Sequence, residues 1–405
     1  MLRKPRVLFL LIVTILASGG LNSMLFGQGS QTTPVDYMAI HRRAIVVDMH
    51  SDTVLRIMRE QFDFGQRSSR GHMDLPRLKE GGVDVQVFAC YVAPRFLPDQ
   101  ATSQALEMMR AFKREIAKYP KDIELAQNAD DVDRIVASGR IAAILAVEGG
   151  HAIQDNIETL RTFYQLGVRY MTLTWMNTNN WADAAGGERR WAGLNDLGVR
   201  IVSEMNRLGM MVDLSHVSDE TFWDVLSITT DPVILSHSCC RALCNHYRNV
   251  SDDMLRALAR NGGVIGINFF PGYLSQDFSR TTEAVKAQLH EKEQELEEKY
   301  KSQPQKLEAE REKLWQERNR LFQAVPLDVL IDHIDHAVNI AGINHVGLGS
   351  DFDGFRISLV GLEDCSKLPN ITKALLARGY SESDVRKILG ENVLRVFRQV
   401  TKPKE

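Results

Sequence analysis

The stretch Ile45-Val46-Val47-Asp48-Met49-His50-Ser51-Asp52 joins a short β-branched run to a histidine and an aspartate two positions apart. β-Branched side chains pack well on a pleated surface, so the run predicts a buried strand. Strand side chains alternate between faces, which puts His50 and Asp52 on one side. There an imidazole nitrogen and a carboxylate oxygen can hold one metal ion. Asp48 shares that side and is expected to support the pair from behind. Taken alone, His-x-Asp has an ordinary structural reading. Its weight depends on what the rest of the chain supplies.

The same unit recurs. Apolar runs that close on polar residues lie at Ala44–His50, Val83–Val92, Ile141–Glu148, Val168–Trp175, Met210–His216, Pro232–His237, Gly263–Phe270 and His345–Asp351. Helix-period stretches fall between them, at Gln104–Tyr119, Ala129–Ala137, Asn156–Leu166, Leu197–Leu208, Glu220–Leu226 and Ser251–Asn261. Strands alternating with helices imply parallel pairing through crossovers. Eight units predict an α/β fold closed as a (β/α)8 TIM-like barrel. A doubly wound open sheet is the competing arrangement, but it offers no reason for the number eight.

The 405 residues are 44% hydrophobic with a formal net charge of −3. That is the composition of a soluble globular protein, and its balance gives no support to nucleic-acid binding. Cys90, Cys239, Cys240, Cys244 and Cys365 make no CxxC pair, so they read as buried small hydrophobes. Residues 1–27 run from basic Arg3-Lys4-Pro5-Arg6 through apolar Val7–Ala17 to small Ser18-Gly19-Gly20. This is the pattern of a signal peptide and predicts an exported protein, periplasmic or extracellular. An uncleaved N-terminal membrane anchor is the alternative, although the apolar run is shorter than the roughly 20 residues that span a bilayer.

Barrel active sites lie at the C-terminal ends of the strands. Here those ends carry His50 and Asp52, Glu148, His216, His237 and Asp351. Any one of them could be a helix cap or a solvated turn residue. Together they converge on one rim, where buried charges are costly unless a cation meets them. Six groups exceed the three protein ligands of a single catalytic zinc. They fit two metals about 3.5–4 Å apart. Glu148, followed by Gly149-Gly150, is the natural bridge, and Asp351 remains as a general base.

Six segments carry a resemblance: Val47-Asp48-Met49-His50-Ser51-Asp52, Glu148-Gly149-Gly150-His151, Asp213-Leu214-Ser215-His216, Leu235-Ser236-His237-Ser238, Arg248-Asn249-Val250 and Gly349-Ser350-Asp351-Phe352-Asp353-Gly354. In order and spacing the set resembles the membrane (renal) dipeptidases, peptidase family M19, relatives of the amidohydrolases. The resemblance spans residues 36–400 and implies a zinc-dependent dipeptidase with two Zn2+ per chain. His50 and Asp52 would bind one ion, His216 and His237 the other, and Glu148 would bridge. A hydroxide between the ions would attack the peptide carbonyl. Asp351 matches the acid/base residue, and Arg248 matches the arginine that grips the dipeptide's carboxylate. A homodimer follows by analogy.

Two departures concern the substrate. Where the family has a histidine after strand four, this chain has Trp175, whose indole N–H donates one hydrogen bond and carries no charge. Asn177 or His151 could substitute for it beside the substrate. Phe270 stands where the family often has tyrosine. These changes leave open another small amide, such as an N-acyl amino acid or a lactam. A secreted binding protein on a dead barrel is a third reading, opposed by the intact ligand set.

Residues 281–323, between strand seven and its helix, are dense in Glu, Lys, Gln and Arg. Leucines recur there at Leu289, Leu296, Leu307, Leu314 and Leu321, interrupted by Pro304. This predicts an inserted helical hairpin with a leucine seam, over the pocket mouth or against a second subunit.

Overall fold

All eight runs form strands in a computed structural model that describes residues 36–59, 62–301 and 303–402. In chain order they are β1 (Val47–Asp48), β2 (Val85–Tyr91), β4 (Ile141–Glu148), β5 (Val168–Thr172), β6 (Met211–Asp213), β7 (Ile234–Ser238), β8 (Val264–Ile267) and β9 (Val346–Leu348). They pair in parallel in the order β2-β1-β9-β8-β7-β6-β5-β4, and β4 returns to β2 from Val85↔Ala142 to Tyr91↔Glu148. That last pairing closes the ring and rules out an open sheet. A further strand, β3 (Ile123–Leu125), pairs with the start of β4 at Ile141–Ala143. The sequence reading did not include it, because three residues are too few to show a period.

The intervening helices start where the sequence supplies a cap. Asn128, Asn156, Asn195, Ser218 and Ser251 each accept a hydrogen bond from a backbone N–H in the following first turn. Gly209 and Gly262 end two of them with φ of 75° and 82°, the left-handed cap that glycine adopts without a Cβ clash.

Two apolar layers follow from the alternation along the strands. Val47, Val85, Val87, Ala89, Ala142, Ile144, Ala146, Met211, Ile234 and Val264 form an inner cluster with Val393 and Phe397 of the C-terminal helix. Phe88, Cys90, Ala143, Leu145 and Val147 belong to the outer layer with helix residues such as Phe112, Leu160 and Phe163. All five cysteines are buried and unpaired. Glu148 is in phase with the inner set and Tyr91 with Val85, Val87 and Ala89. Both therefore stand at the top of the barrel interior.

Helices Gln276–Tyr300 and Pro304–Asn319 pack against each other after β8. The first of them begins before the expected start at residue 281. Leu296, Leu307 and Leu314 are half-buried, whereas Leu321 is 58% exposed and outside any seam. The expected signal segment, 1–27, lies outside the described residues. No helix among the described residues is long and apolar enough to cross a membrane.

Candidate metal centre

Two of the strands that lead to the candidate ligands, β1 and β6, stop early, each at an aspartate that turns the backbone. β1 ends at Asp48, two residues short of the expected end at His50. The cause is local. Asp48 Oδ1 takes the N–H of His50 at 3.3 Å and of Ser350 at 2.7 Å, and its Oδ2 takes the Ser350 hydroxyl at 2.6 Å. β6 ends at Asp213 in the same way. Its Oδ1 accepts from Ser215 N–H at 3.0 Å and Ser236 N–H at 2.9 Å, and its Oδ2 accepts the Ser236 hydroxyl at 2.5 Å. Each aspartate thus ties its strand to the residue just before a candidate site residue on a neighbouring segment, Asp351 in one case and His237 in the other. The device is written in the sequence, since a serine precedes both residues, but it becomes visible only once the strands are neighbours.

Backbone strain marks the same rim. His216 has φ of 73° and Asp351 of 60°, left-handed conformations that cost a non-glycine residue about 1–2 kcal/mol. Such strain persists only where surrounding contacts enforce it, and it gathers at functional sites.

The structure brings His50, Asp52, Glu148, His216, His237 and Asp351 into one buried cluster. Glu148 is at its middle and has one oxygen toward each half. Oε1 is 2.9 Å from His216 Nε2 and 3.5 Å from His237 Nε2, and these two nitrogens are 2.9 Å apart. Oε2 is 3.6 Å from His50 Nε2. On that side, ligand atoms of His50, Asp52 and Asp351 lie within 4.8 Å of one another. His50 Nε2, Asp52 Oδ1 and Glu148 Oε2 are buried without a hydrogen-bond partner among the described residues. Buried polar atoms are rarely left so, and imidazole with carboxylate is a donor set suited to zinc or another divalent ion. The residues fit a metal.

The electrostatics agree. Burial disfavours charge on His50, yet the Glu148, Asp52 and Asp351 carboxylates beside it push it up to about 9. Burial, then the Glu148 charge, holds Asp52 well above the usual carboxylate range. Glu148 goes the other way despite its burial, held low by His50, His216 and His237. Burial, followed by the Arg248 charge, lowers His216 to about 3, so it is neutral and able to ligate. With three carboxylates in one buried cluster, a proton on His50 does in part what a cation would do fully.

Partners behind the ligands set their tautomers. Tyr170 Oη donates to Met49 O at 3.0 Å, so at 2.7 Å it accepts from His50 Nδ1–H. The neutral ring, once a cation replaces the second proton, would therefore turn its Nε2 lone pair to the cluster. His237 Nδ1 lies 2.7 Å from Ser236 Oγ, whose own proton goes to Asp213. Tyr170, Asp213, Ser236 and Asn268 had no role in the sequence reading. Tyr170→Phe is expected to weaken metal affinity about 10–100-fold. A chelator-competition titration checks this, and unchanged affinity would refute the bracing role.

Asp351 Oδ2 accepts from Asn268 Nδ2 at 2.9 Å, and burial raises its pKa to about 6. Arg248 is 3% exposed, donates through Nη2 to His237 O at 3.1 Å and lies 5.3 Å over the Tyr273 ring. Its Nε has no partner, and no carboxylate is in ion-pair range of it among the described residues. The pairing with Asp252 or Asp253 that its sequence position allowed is absent, since Asp252 holds His336 at 2.7 Å and Asp253 holds Arg256 at 2.8 Å.

The four residues raised around the substrate, Trp175, His151, Asn177 and Phe270, separate. Trp175 packs 4.8 Å from the Tyr91 ring and 6.3 Å from that of His216. His151 is tied instead to the residue after β2, Nε2 donating to Val92 O at 2.8 Å, and shares no hydrogen bond with the cluster. Both amide atoms of Asn177 are buried without a partner among the described residues. Phe270 packs on Tyr273 and Phe355, at 4.9 and 5.5 Å.

Known proteins share this architecture. A family profile described as membrane dipeptidase (peptidase family M19) matches residues 36–405. An uncharacterized dipeptidase of Schizosaccharomyces pombe, C965.12, is 35% identical over 90% of this chain and 82% of its own. Mouse dipeptidase 3 is 32% identical over 91% of this chain and 67% of its own. The crystal structure of a Rhodobacter sphaeroides metallopeptidase, bound to a phosphinate mimic of L-Ala-D-Ala, superposes with a TM-score of 0.72 at 26% identity. It covers 88% of this chain and 99% of that one. A closed parallel barrel, a buried histidine–carboxylate cluster on its rim and a match over nearly the whole chain agree: the protein belongs to the membrane dipeptidase family, peptidase family M19, a family of metallo-dipeptidases.

Proposed function

We propose that the chain hydrolyses dipeptides at a centre of two Zn2+ ions, one held by His50 and Asp52, the other by His216 and His237, with Glu148 common to both. The observation that carries this reading is Glu148 itself, with one oxygen toward His50 and the other toward the His216–His237 pair. When bound, such ions polarise an amide carbonyl and make water acidic enough to act as a nucleophile near neutral pH.

The chain's own residues do the rest. Asp351, held by Asn268, takes the proton of the attacking water and passes it to the leaving amine. Arg248, buried with an unpartnered Nε, grips the substrate's terminal carboxylate through charge-assisted hydrogen bonds. A grip on that carboxylate fixes a single residue on the C-terminal side of the scissile bond, so it rejects chains extended at that end. With Trp175 in place of a cation, stabilisation of the developing negative charge falls to the ions and to neutral donors. Trp175 and Phe270 leave open a second substrate class, N-acyl amino acids or lactams, at the same centre.

A hydrolysis panel with metal analysis tests the function. It includes dipeptides ending in a D-residue, because the Rhodobacter sphaeroides relative binds such a mimic. About two zinc per chain with cleavage of dipeptides but not tripeptides is the expected result. Bound metal without dipeptide cleavage favours the second class, and metal-free protein sinks both.

The reading extends to the cell and the assembly. Residues 1–27 act as an export signal, supported by their basic, apolar and small-residue succession. The 281–323 arm covers the pocket mouth or joins two copies, supported by its departure from the rim after β8. Deleting it is expected to change the kinetics or the mass in solution; a variant unaltered in both would exclude either role.

A further inference from the structure

We propose that Tyr91 and Trp175 form an aromatic wall that selects dipeptides with an apolar, preferably aromatic, N-terminal side chain, an inference that rests on the dipeptidase reading above. Tyr91 closes β2 in register with Glu148 on β4. Paired residues on parallel neighbours point to the same face, so Tyr91 shares the interior face with Glu148. Trp175 follows the end of β5 by three residues, and its ring meets that of Tyr91 at 4.8 Å and 49°. Both residues are half-buried. The Trp175 ring also comes within 6.3 Å of His216, so the wall borders the cluster itself.

Position round the ring decides which part of a substrate meets it. From β7 the order runs β6, β5, β4, β2, so β2 lies four places away in a ring of eight, on the far side. Arg248 follows β7. A dipeptide held there by its carboxylate runs across Glu148, and its N-terminal residue arrives under Tyr91 and Trp175. Two aromatic faces reward an apolar or flat side chain with buried area and offset stacking. A polar side chain would lose hydration there, with only the Trp175 indole N–H and the Tyr91 hydroxyl in exchange.

The test uses the metal-loaded full chain and non-hydrolysable phosphinate mimics of Phe-Gly, Gly-Gly and Gly-Phe. Affinities are read by calorimetry, beside kcat/KM for the parent dipeptides. The Phe-Gly mimic is expected to bind about tenfold or more tighter than the Gly-Gly mimic. In Trp175→Ala that ratio is expected to collapse, and in Trp175→Phe to survive largely. Equal binding of the two mimics, a ratio untouched by Trp175→Ala, or a larger gain for Gly-Phe would overturn the wall while turnover keeps the dipeptidase reading intact. Failure of every mimic to bind would overturn both.

Discussion

Asp351→Asn is expected to lower turnover by about 10²–10⁴-fold while both metals stay bound. The substitution preserves shape and an oxygen that can still accept from Asn268, whose Nδ2 is 2.9 Å from Asp351 Oδ2 in the native protein. It removes the proton acceptor. Asp351 is also within ligand distance of His50 and Asp52, so geometry alone allows it to be a metal ligand. The variant separates the roles. Full metal content with lost turnover marks a base, whereas lost metal marks a ligand.

The pH profile supplies a second readout. Burial, reinforced by the Glu148 charge, raises the Asp351 pKa to about 6 in the metal-free protein. A base works deprotonated, so kcat/KM falls as pH drops through the pKa of this group. Bound cations favour the charged carboxylate and move that limb downward. The acid limb is therefore expected at or below pH ~6, and it should vanish in Asp351→Asn. Its persistence in the variant would assign the limb to another group.

Glu148→Gln is the second large effect. Glutamine keeps the volume but removes the charge and replaces one oxygen by an amide NH2, which cannot ligate a cation. Because Glu148 alone faces both donor sets, the variant is expected to hold at most one metal. Turnover should fall by more than about 10³-fold, as when preorganised charge stabilisation is lost. The effect also shows without metal. Among the charges that keep His50 protonated up to about 9, Glu148 is the strongest, so the His50 imidazole should lose its proton at lower pH in the variant. Histidine NMR on the metal-free protein reads this directly. Two bound metals in Glu148→Gln would show that the bridge is not required.

The two experiments probe different layers of one design. Asp351 and His237 carry chemistry in the proposed mechanism, and Asp48 and Asp213 hold the serines immediately before them. His50 is a proposed ligand, and Tyr170 fixes which of its nitrogens faces the site. The candidate ligands were legible because strand ends are local features: an apolar run stops and a histidine or carboxylate follows. Their supports were not. Tyr170 is one aromatic residue in the short strand Val168–Thr172, and only the neighbourhood of β1 gives its hydroxyl a purpose.

The strand boundaries show the same limit. His50 reads as the end of a strand, yet β1 stops at Asp48 because a carboxylate captures the next N–H groups. Side-chain competition for backbone donors of this kind depends on what stands opposite. Trp175 is legible as a departure from a family pattern, whereas its partner Tyr91 is not, since the pair is 84 positions apart in sequence and 4.8 Å apart in space.

Alternation of apolar runs with helical periods, a local property of the chain, therefore determined the number of barrel strands and the residues at their ends. Closure of β4 onto β2 did what no local pattern can: it brought Glu148 between two donor sets and set β2, with Tyr91 at its end, across the ring from β7, which Arg248 follows. The reason is physical. Periodicity fixes which face a side chain takes, but distances between strand ends depend on how the whole ring pairs.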